Sequence, residues 1–152
     1  MSEKRVVSEM DQKKKIRRIY AEKKKGYDVE AEGVCREIVN IIGVNSVQGV
    51  RIINRYDITD ITDEEYLNAK NVVFSEPSVD YLYEEEMEFS PNERVFSVEY
   101  LPGQYDQRAD SASQCVQFLT LGEKPRCRSG KVMVIQGDVS DEDFDKIKSY
   151  YI

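Results

Sequence analysis

The ten residues GYDVEAEGVC, Gly26 to Cys35, return in expanded form as GQYDQRADSASQC, Gly103 to Cys115, with Tyr27-Asp28 reappearing as Tyr105-Asp106. The shift is 78 positions, and a second block keeps it: ITDEEYLNAK, Ile61 to Lys70, matches VSDEDFDKIK, Val139 to Lys148. Self-similarity at a fixed offset is the sign of a repeated structural unit. Between the blocks lie two β-branched runs that each follow a glycine, VRIIN (Val50 to Asn54) and KVMVI (Lys131 to Ile135).

Each copy reads as strand, helix, strand, helix. Ile16 to Glu22 and Val95 to Tyr100 partly alternate apolar and polar residues, as half-buried strands do. Helices are expected to start at Asp28 and Asp106, whose short carboxylates can accept from first-turn amides. Val34, Ile38, Ile41 and Ile42 give the first helix its apolar stripe, and Ala112, Cys115, Val116 and Leu119 give the second. Gly43 and Gly122 stand where left-handed C-terminal caps belong. Thr62 and Ser140 precede the acidic first turns of two shorter helices, where negative charge is favoured by the helix dipole. A further strand is expected over Val79 to Phe89, and the segment from Ser75 to Pro91 holds the crossover between the copies.

These readings give an α+β fold: two tandem αβ sandwich halves, residues 16–89 and 95–152, each an antiparallel sheet with helices on one face, joined as a pseudo-dimer within one domain of 152 residues. A lone half would expose a sheet edge, so one continuous core is the economical arrangement. Residues 1–15 read as a flexible basic N-terminus.

Composition limits the chemistry. The net charge of −7 and a pI near 4.8 argue against a general nucleic-acid partner, which needs a basic face for phosphates. No apolar run is long enough for a membrane span. Cys35, Cys115 and Cys127 include no Cys-x-x-Cys pair and follow no signal-peptide-like stretch, which favours reduced thiols and a cytoplasmic location. Histidine is absent, so the usual base for serine or cysteine nucleophiles and the usual zinc ligand are missing. No Walker-type glycine loop occurs.

IRRIYAEKKKGYDVEAEG, RIINRYDI, VFSEPSVDYLYEE and above all FSVEYLPGQYDQRADSASQCVQFLT, followed by KVMVIQGDVSDEDFDKIKSYYI, resemble the N-terminal region of large, single-chain phosphoribosylformylglycinamidine synthase. The likeness runs from Ile16 to Ile152, and PGQYDQRADS is its most specific part. It implies a domain similar to a dimer of PurS, the small separate subunit of the multi-subunit form. The whole enzyme converts formylglycinamide ribonucleotide, ATP and glutamine to formylglycinamidine ribonucleotide in purine biosynthesis. On this resemblance the segment is a non-catalytic accessory to the synthetase and glutaminase domains of the same chain, with the ribonucleotide as a further contact. It would hold no cofactor itself; ATP and Mg²⁺ would belong to the rest of the enzyme. The alternative from another class is a free-standing regulatory or ligand-binding αβ module.

Gln104, Asp106, Gln107, Arg108, Asp110, Ser111 and Gln114 form the candidate contact surface, for an interdomain partner or substrate. Asp106 doubles as the helix cap, and Arg108 can bind carboxylates or amides bidentately. Copy one carries Val29 and Glu30 in place of Gln107 and Arg108, so the two copies cannot serve the same partner. Lys13, Lys14, Lys15, Arg17, Arg18 and Lys23 to Lys25 read as strand-edge protection rather than nucleic-acid contacts. Glu84, Glu85, Glu86 and Glu88 read as a solvated strand edge, Cys35 and Cys115 as small buried hydrophobes, and Tyr27 and Tyr105 as turn residues packed on their own helices.

Overall fold

A computed structural model describes residues 9–152. Helix α1 spans Glu9–Lys14, so part of the expected flexible N-terminus is helical, and residues 1–8 lie outside the described residues. The order continues β1 (Arg17–Lys23), α2 (Val29–Glu37, prolonged by a π-helical turn Ile38–Ile42), β2 (Gly49–Thr59), α3 (Asp63–Ala69), β3 (Asp80–Glu84), β4 (Glu93–Glu99), α4 (Gln107–Thr120), β5 (Arg126–Gln136) and α5 (Asp141–Tyr151). The class is α+β: one open sheet in the order β3-β1-β2-β5-β4, antiparallel at every pairing. Among the described residues no helix is long and apolar enough to cross a membrane.

The two β-branched runs of the sequence pair with each other. Val50 lies opposite Ile135 and Asn54 opposite Lys131, within a ladder that runs from Gly49↔Gln136 to Thr59↔Arg126. The flanking ladders match when 77 is added to both partners. Arg17↔Ile58 becomes Arg94↔Ile135, and Ile19↔Tyr56 becomes Phe96↔Met133. Helices keep the 78 of the sequence, since α2 starts at Val29 and α4 at Gln107, and α3 at Asp63 and α5 at Asp141. One extra residue in the turn Gly103-Gln104-Tyr105, against Gly26-Tyr27, accounts for the first change of offset.

Successive strand residues face opposite sides of the sheet. Ile19, Ile52, Tyr56, Ile58, Phe96, Met133 and Ile135 face α2 to α5 and form the main core with Ala31, Ile38, Ala69, Val116 and Ile147. Ile53, Val132 and Val134 face the other side. Among the described residues no helix packs on that cluster. Its cover is the connection Glu85–Asn92, which must cross the whole sheet because β3 and β4 are opposite edges. The crossing spans four strand spacings, about 19 Å, within reach of eight extended residues at about 3.3 Å each. Met87 packs on Ile53, Val132 and Val134, and Arg51 stands 5.9 Å from the centre of the Phe89 ring. The strand expected over Val79 to Phe89 therefore ends at Glu84, and its remainder is a strap.

An aromatic and ion-pair motif is also duplicated. Arg17 pairs with Asp63 and lies 4.8 Å over the Tyr66 ring. Arg94 pairs with Asp141 at 2.6 Å and lies 5.4 Å over the Phe144 ring. Thr62 and Ser140 cap their helices as expected, each accepting from the third amide onward.

Three expectations are corrected. Asp28 precedes α2, but its carboxylate accepts from the Gly26 N–H and caps nothing in the helix. Gly43 is the left-handed cap foreseen, with φ of 85°, whereas α4 closes on Leu121, at φ 56°, one residue before Gly122. The second stripe is only half buried: Ala112 and Val116 face the sheet with Ala109 and Ser113, whereas Cys115 and Leu119 are exposed, as are Phe118 and Leu121 beside them. In the first stripe Ile41 is likewise exposed, while Cys35 does pack against the core.

A left-handed backbone costs an L-residue about 1–2 kcal/mol, and Leu121 is 89% exposed, with little burial to offset it. Leu121→Gly is expected to raise the stability of the chain by about 0.5–1 kcal/mol, read from the urea unfolding midpoint.

Candidate functional site

The turn Tyr100 to Asp106 delivers the chain from the end of β4 to the start of α4. Leu101 carbonyl accepts from the Gln104 N–H at 3.0 Å, and the Gln104 side-chain oxygen accepts from the Leu101 N–H at 2.7 Å. Gly103 follows Pro102 at φ 86°, the pair a type II turn requires at its two central positions. Gln104 is thus occupied in closing its own turn.

Asp106 is the structural hinge of the region. One carboxylate oxygen accepts from the Ala109 N–H at 3.0 Å and from the Ser129 hydroxyl at 2.7 Å; the other accepts from the Ser129 N–H at 2.7 Å. β4 ends at Glu99, opposite Gly130, so Asp106 takes the amide of Ser129, the first β5 residue with no partner in β4. Asp110, one turn on, accepts from Lys124 at 2.8 Å, from the Tyr105 hydroxyl at 2.9 Å and from Gln114 at 3.0 Å. Lys124 first, then Tyr105, hold the Asp110 carboxyl below its usual value, and the same bond holds the Tyr105 phenol above its own. Tyr105 is 69% exposed and touches its own helix through its hydroxyl on Asp110 rather than by packing its ring, and Tyr27 is likewise exposed.

The seven candidate residues therefore divide. Gln104, Asp106 and Asp110 line a cleft of about 820 Å³ at the end of the sheet, together with Arg18, Asp57, Lys124 and Arg128. Gln107, Arg108 and Ser111 line a separate groove of about 460 Å³ on the helix side, over Tyr56, Tyr100 and Lys131. Gln114 belongs with Asp110. In the groove, Gln107 and Ser111 make no side-chain hydrogen bond among the described residues, and Arg108 has no carboxylate partner there. Burial works against its charge, but the Tyr56 oxygen beside it, and more weakly the Glu30 carboxylate beyond ion-pair distance, keep the guanidinium pKa raised. Its counterpart in the first half, Glu30, is by contrast paired with Lys131.

Sequence reasoning missed the strand residues of the cleft. Arg18 grips Asp57 through two nitrogens at 2.7 and 3.1 Å, and Arg55 pairs with Glu99. Arg128 is the counterpart of Arg51, which is held by Glu22 at 2.7 Å and Glu93 at 3.0 Å. Because Arg55 takes Glu99, the counterpart of Glu22, Arg128 is left without a carboxylate among the described residues. The 77-residue strand offset is the signal that could have found it. Among the described residues no group of three or more acidic or cysteine side chains is placed to hold a metal ion.

No family model, curated protein or solved structure matches the chain.

Burial, aided by the Asp106 and Asp57 carboxylates, pushes the Cys127 thiol up to about 12. At neutral pH a maleimide is expected to label exposed Cys115 and to spare Cys127, as resolved by peptide mass mapping. Asp106→Ala removes a helix cap and two bonds to Ser129, and is expected to cost about 2–3 kcal/mol from a cap worth ~1 and bonds worth ~1 each, measured by chemical denaturation.

Proposed function

We propose that this chain is the PurS-like accessory domain of a phosphoribosylformylglycinamidine synthase, two PurS-like halves forming a pseudo-dimer that helps hold the synthetase and glutaminase domains together in the cytoplasm. In that enzyme formylglycinamide ribonucleotide, ATP and glutamine yield formylglycinamidine ribonucleotide. Glutamine hydrolysis and ATP-dependent activation of the amide would take place on the other domains, where ATP and Mg²⁺ would bind. The resemblance of PGQYDQRADS and its flanks supports the family. The shared strand register and the repeated Arg-Asp-aromatic motif support the pseudo-dimer.

The observation that carries the contact role is the division of labour on α4. Asp106 and Asp110 are satisfied within the domain, while Gln107 and Ser111 carry no side-chain hydrogen bond among the described residues and Arg108 has the Tyr56 oxygen beside it but no carboxylate at ion-pair distance. A guanidinium left so beside a groove suits a partner domain, or the ribonucleotide, bringing acceptors to it.

The test is Arg108→Ala in the enzyme that contains this chain. An exposed truncation changes stability within about 0.5 kcal/mol, whereas a charged hydrogen bond lost across an interface costs about 2–5 kcal/mol. We expect an unchanged melting temperature of the chain and at least a tenfold loss of glutamine-dependent turnover. Full turnover with an unchanged melting temperature would overturn the contact role, and a protein with no such turnover at all would favour the free-standing module.

A further inference from the structure

The groove beside Arg108 is open where its counterpart in the other half is bridged. The 78-residue step of the helices matches Glu37 of α2 with Cys115 of α4, and Val73, just after α3, with Tyr151 of α5. Tyr151 packs against the core cluster that includes Ala31 and Ile147 and donates its hydroxyl to Glu37 at 3.2 Å, joining α5 to α2. Val73 packs against the other cluster in the same way. A valine has no ring or hydroxyl to extend, however, and the exposed Cys115 has no carboxylate to receive one. Both residues line the groove of about 460 Å³. The opening therefore comes from two smaller side chains inside the fold.

The charge of the groove is unbalanced as well. Arg108 and Lys131 line it, and Glu30 is paired with Lys131, so the three together carry one net positive charge. A single carboxylate balances that charge. A phosphate monoester, at about −1.5 to −2 near neutral pH, would overshoot it. Arg108 and Cys115 stand seven residues apart on α4, about 10.5 Å along the axis at about 1.5 Å per residue. Gln107 and Ser111, four residues apart, share the helix face beside that line.

We propose that the groove seats an extended segment of the partner domain, with an aromatic ring between Val73 and Cys115, where the other half has its own tyrosine, and one carboxylate on Arg108. In an extended chain, residues two apart point the same way at a separation of about 6.6 Å, and the arginine side chain covers the remaining distance. Gln107 and Ser111 are placed to bond the backbone of the segment. The inference rests on the contact role proposed above for Arg108 and specifies what the partner brings: a ring and an acid two residues away, not a phosphate.

The probe is the peptide acetyl-Tyr-Ala-Glu-amide, added at millimolar concentration to the chain and followed by amide NMR. We expect shifts at Val73 and from Arg108 to Cys115, and binding about three- to fivefold weaker when glutamine replaces the glutamate of the peptide, the range of a partly exposed ion pair. A second measurement rebuilds the bridge of the other half with Val73→Tyr and Cys115→Glu together. The double variant should melt no lower than the parent and show no shifts with the peptide, and in the enzyme that contains this chain it should lose at least tenfold in glutamine-dependent turnover. Cys115→Glu alone, at an exposed position, should lower turnover in the same direction and carries the test if the double variant does not fold. The proposal is overturned by a peptide that leaves the groove unperturbed, or that binds equally with glutamine for glutamate or to the rebuilt groove. Tighter binding of 3-phenylpropionate than of the peptide would overturn it in favour of a free carboxylate. If Arg108→Ala loses turnover while the folded, rebuilt groove keeps it, the contact role stands and this occupant is wrong.

Discussion

The pairing of β2 with β5 is the constraint on which the rest of the molecule depends. It joins the two halves by their longest strands, from Gly49↔Gln136 to Thr59↔Arg126, and puts both at the middle of the sheet. Side chains on both their faces must then be removed from water. On one face the helices do this, with Ile52, Met133 and Ile135 under α2 and α5. On the other, Ile53, Val132 and Val134 need the strap and a rim of ion pairs, Arg51 with Glu22 and Glu93, and Arg18 with Asp57. Separating the halves would expose two apolar strand edges together, which is why neither half makes sense as a free unit.

The shared strand register and the repeated Arg-Asp-aromatic motif give the two halves a common frame, and the differences between them decide which cations are paired. Glu30 closes on Lys131, while its counterpart Arg108 stays open. Arg51 is doubly held, while its counterpart Arg128 lost its acid to Arg55. Tyr66 and Lys70 grip Glu84, while Phe144 and Lys148 grip nothing acidic among the described residues. In each pair the first half spends its polar groups internally. In the second half Arg108, Arg128 and Lys148 have no carboxylate partner among the described residues, although the protein as a whole is acidic.

How far the sequence could be read follows from the range of the interactions. Local signals were sound: the caps at Thr62, Ser140 and Asp106 and the left-handed Gly43 depend on residues within a few positions. Asp28 failed because the same carboxylate can satisfy the amide before the helix as easily as one within it. Helical periodicity showed that α4 has an apolar stripe but not how far the sheet beneath it extends, so Cys115 and Leu119 were misjudged. The strap was read as strand because the Tyr81-Leu82-Tyr83 signal was carried on through the glutamate-rich run to Phe89, although glutamate is a poor strand former. Only the edge positions of β3 and β4 dictate where pairing must stop. Of the candidate site, the seven residues were legible as a polar set, but their division between two concavities depends on Ser129, Lys124 and Tyr56, none of them near in sequence.

The strap has one more consequence. It is the sole covalent link between residues 16–84 and residues 93–152, and it lies on the surface of the sheet rather than within the central ladder. A short tether of this kind keeps its two ends at an effective concentration in the millimolar range. The halves therefore meet as an intramolecular event, and their union does not depend on how much protein the cell makes. Two separately encoded subunits would dissociate on dilution and would have to be identical to each other or be sorted. Here the tether fixes one of each in every molecule, and each half is free to change its surface without meeting a copy of itself.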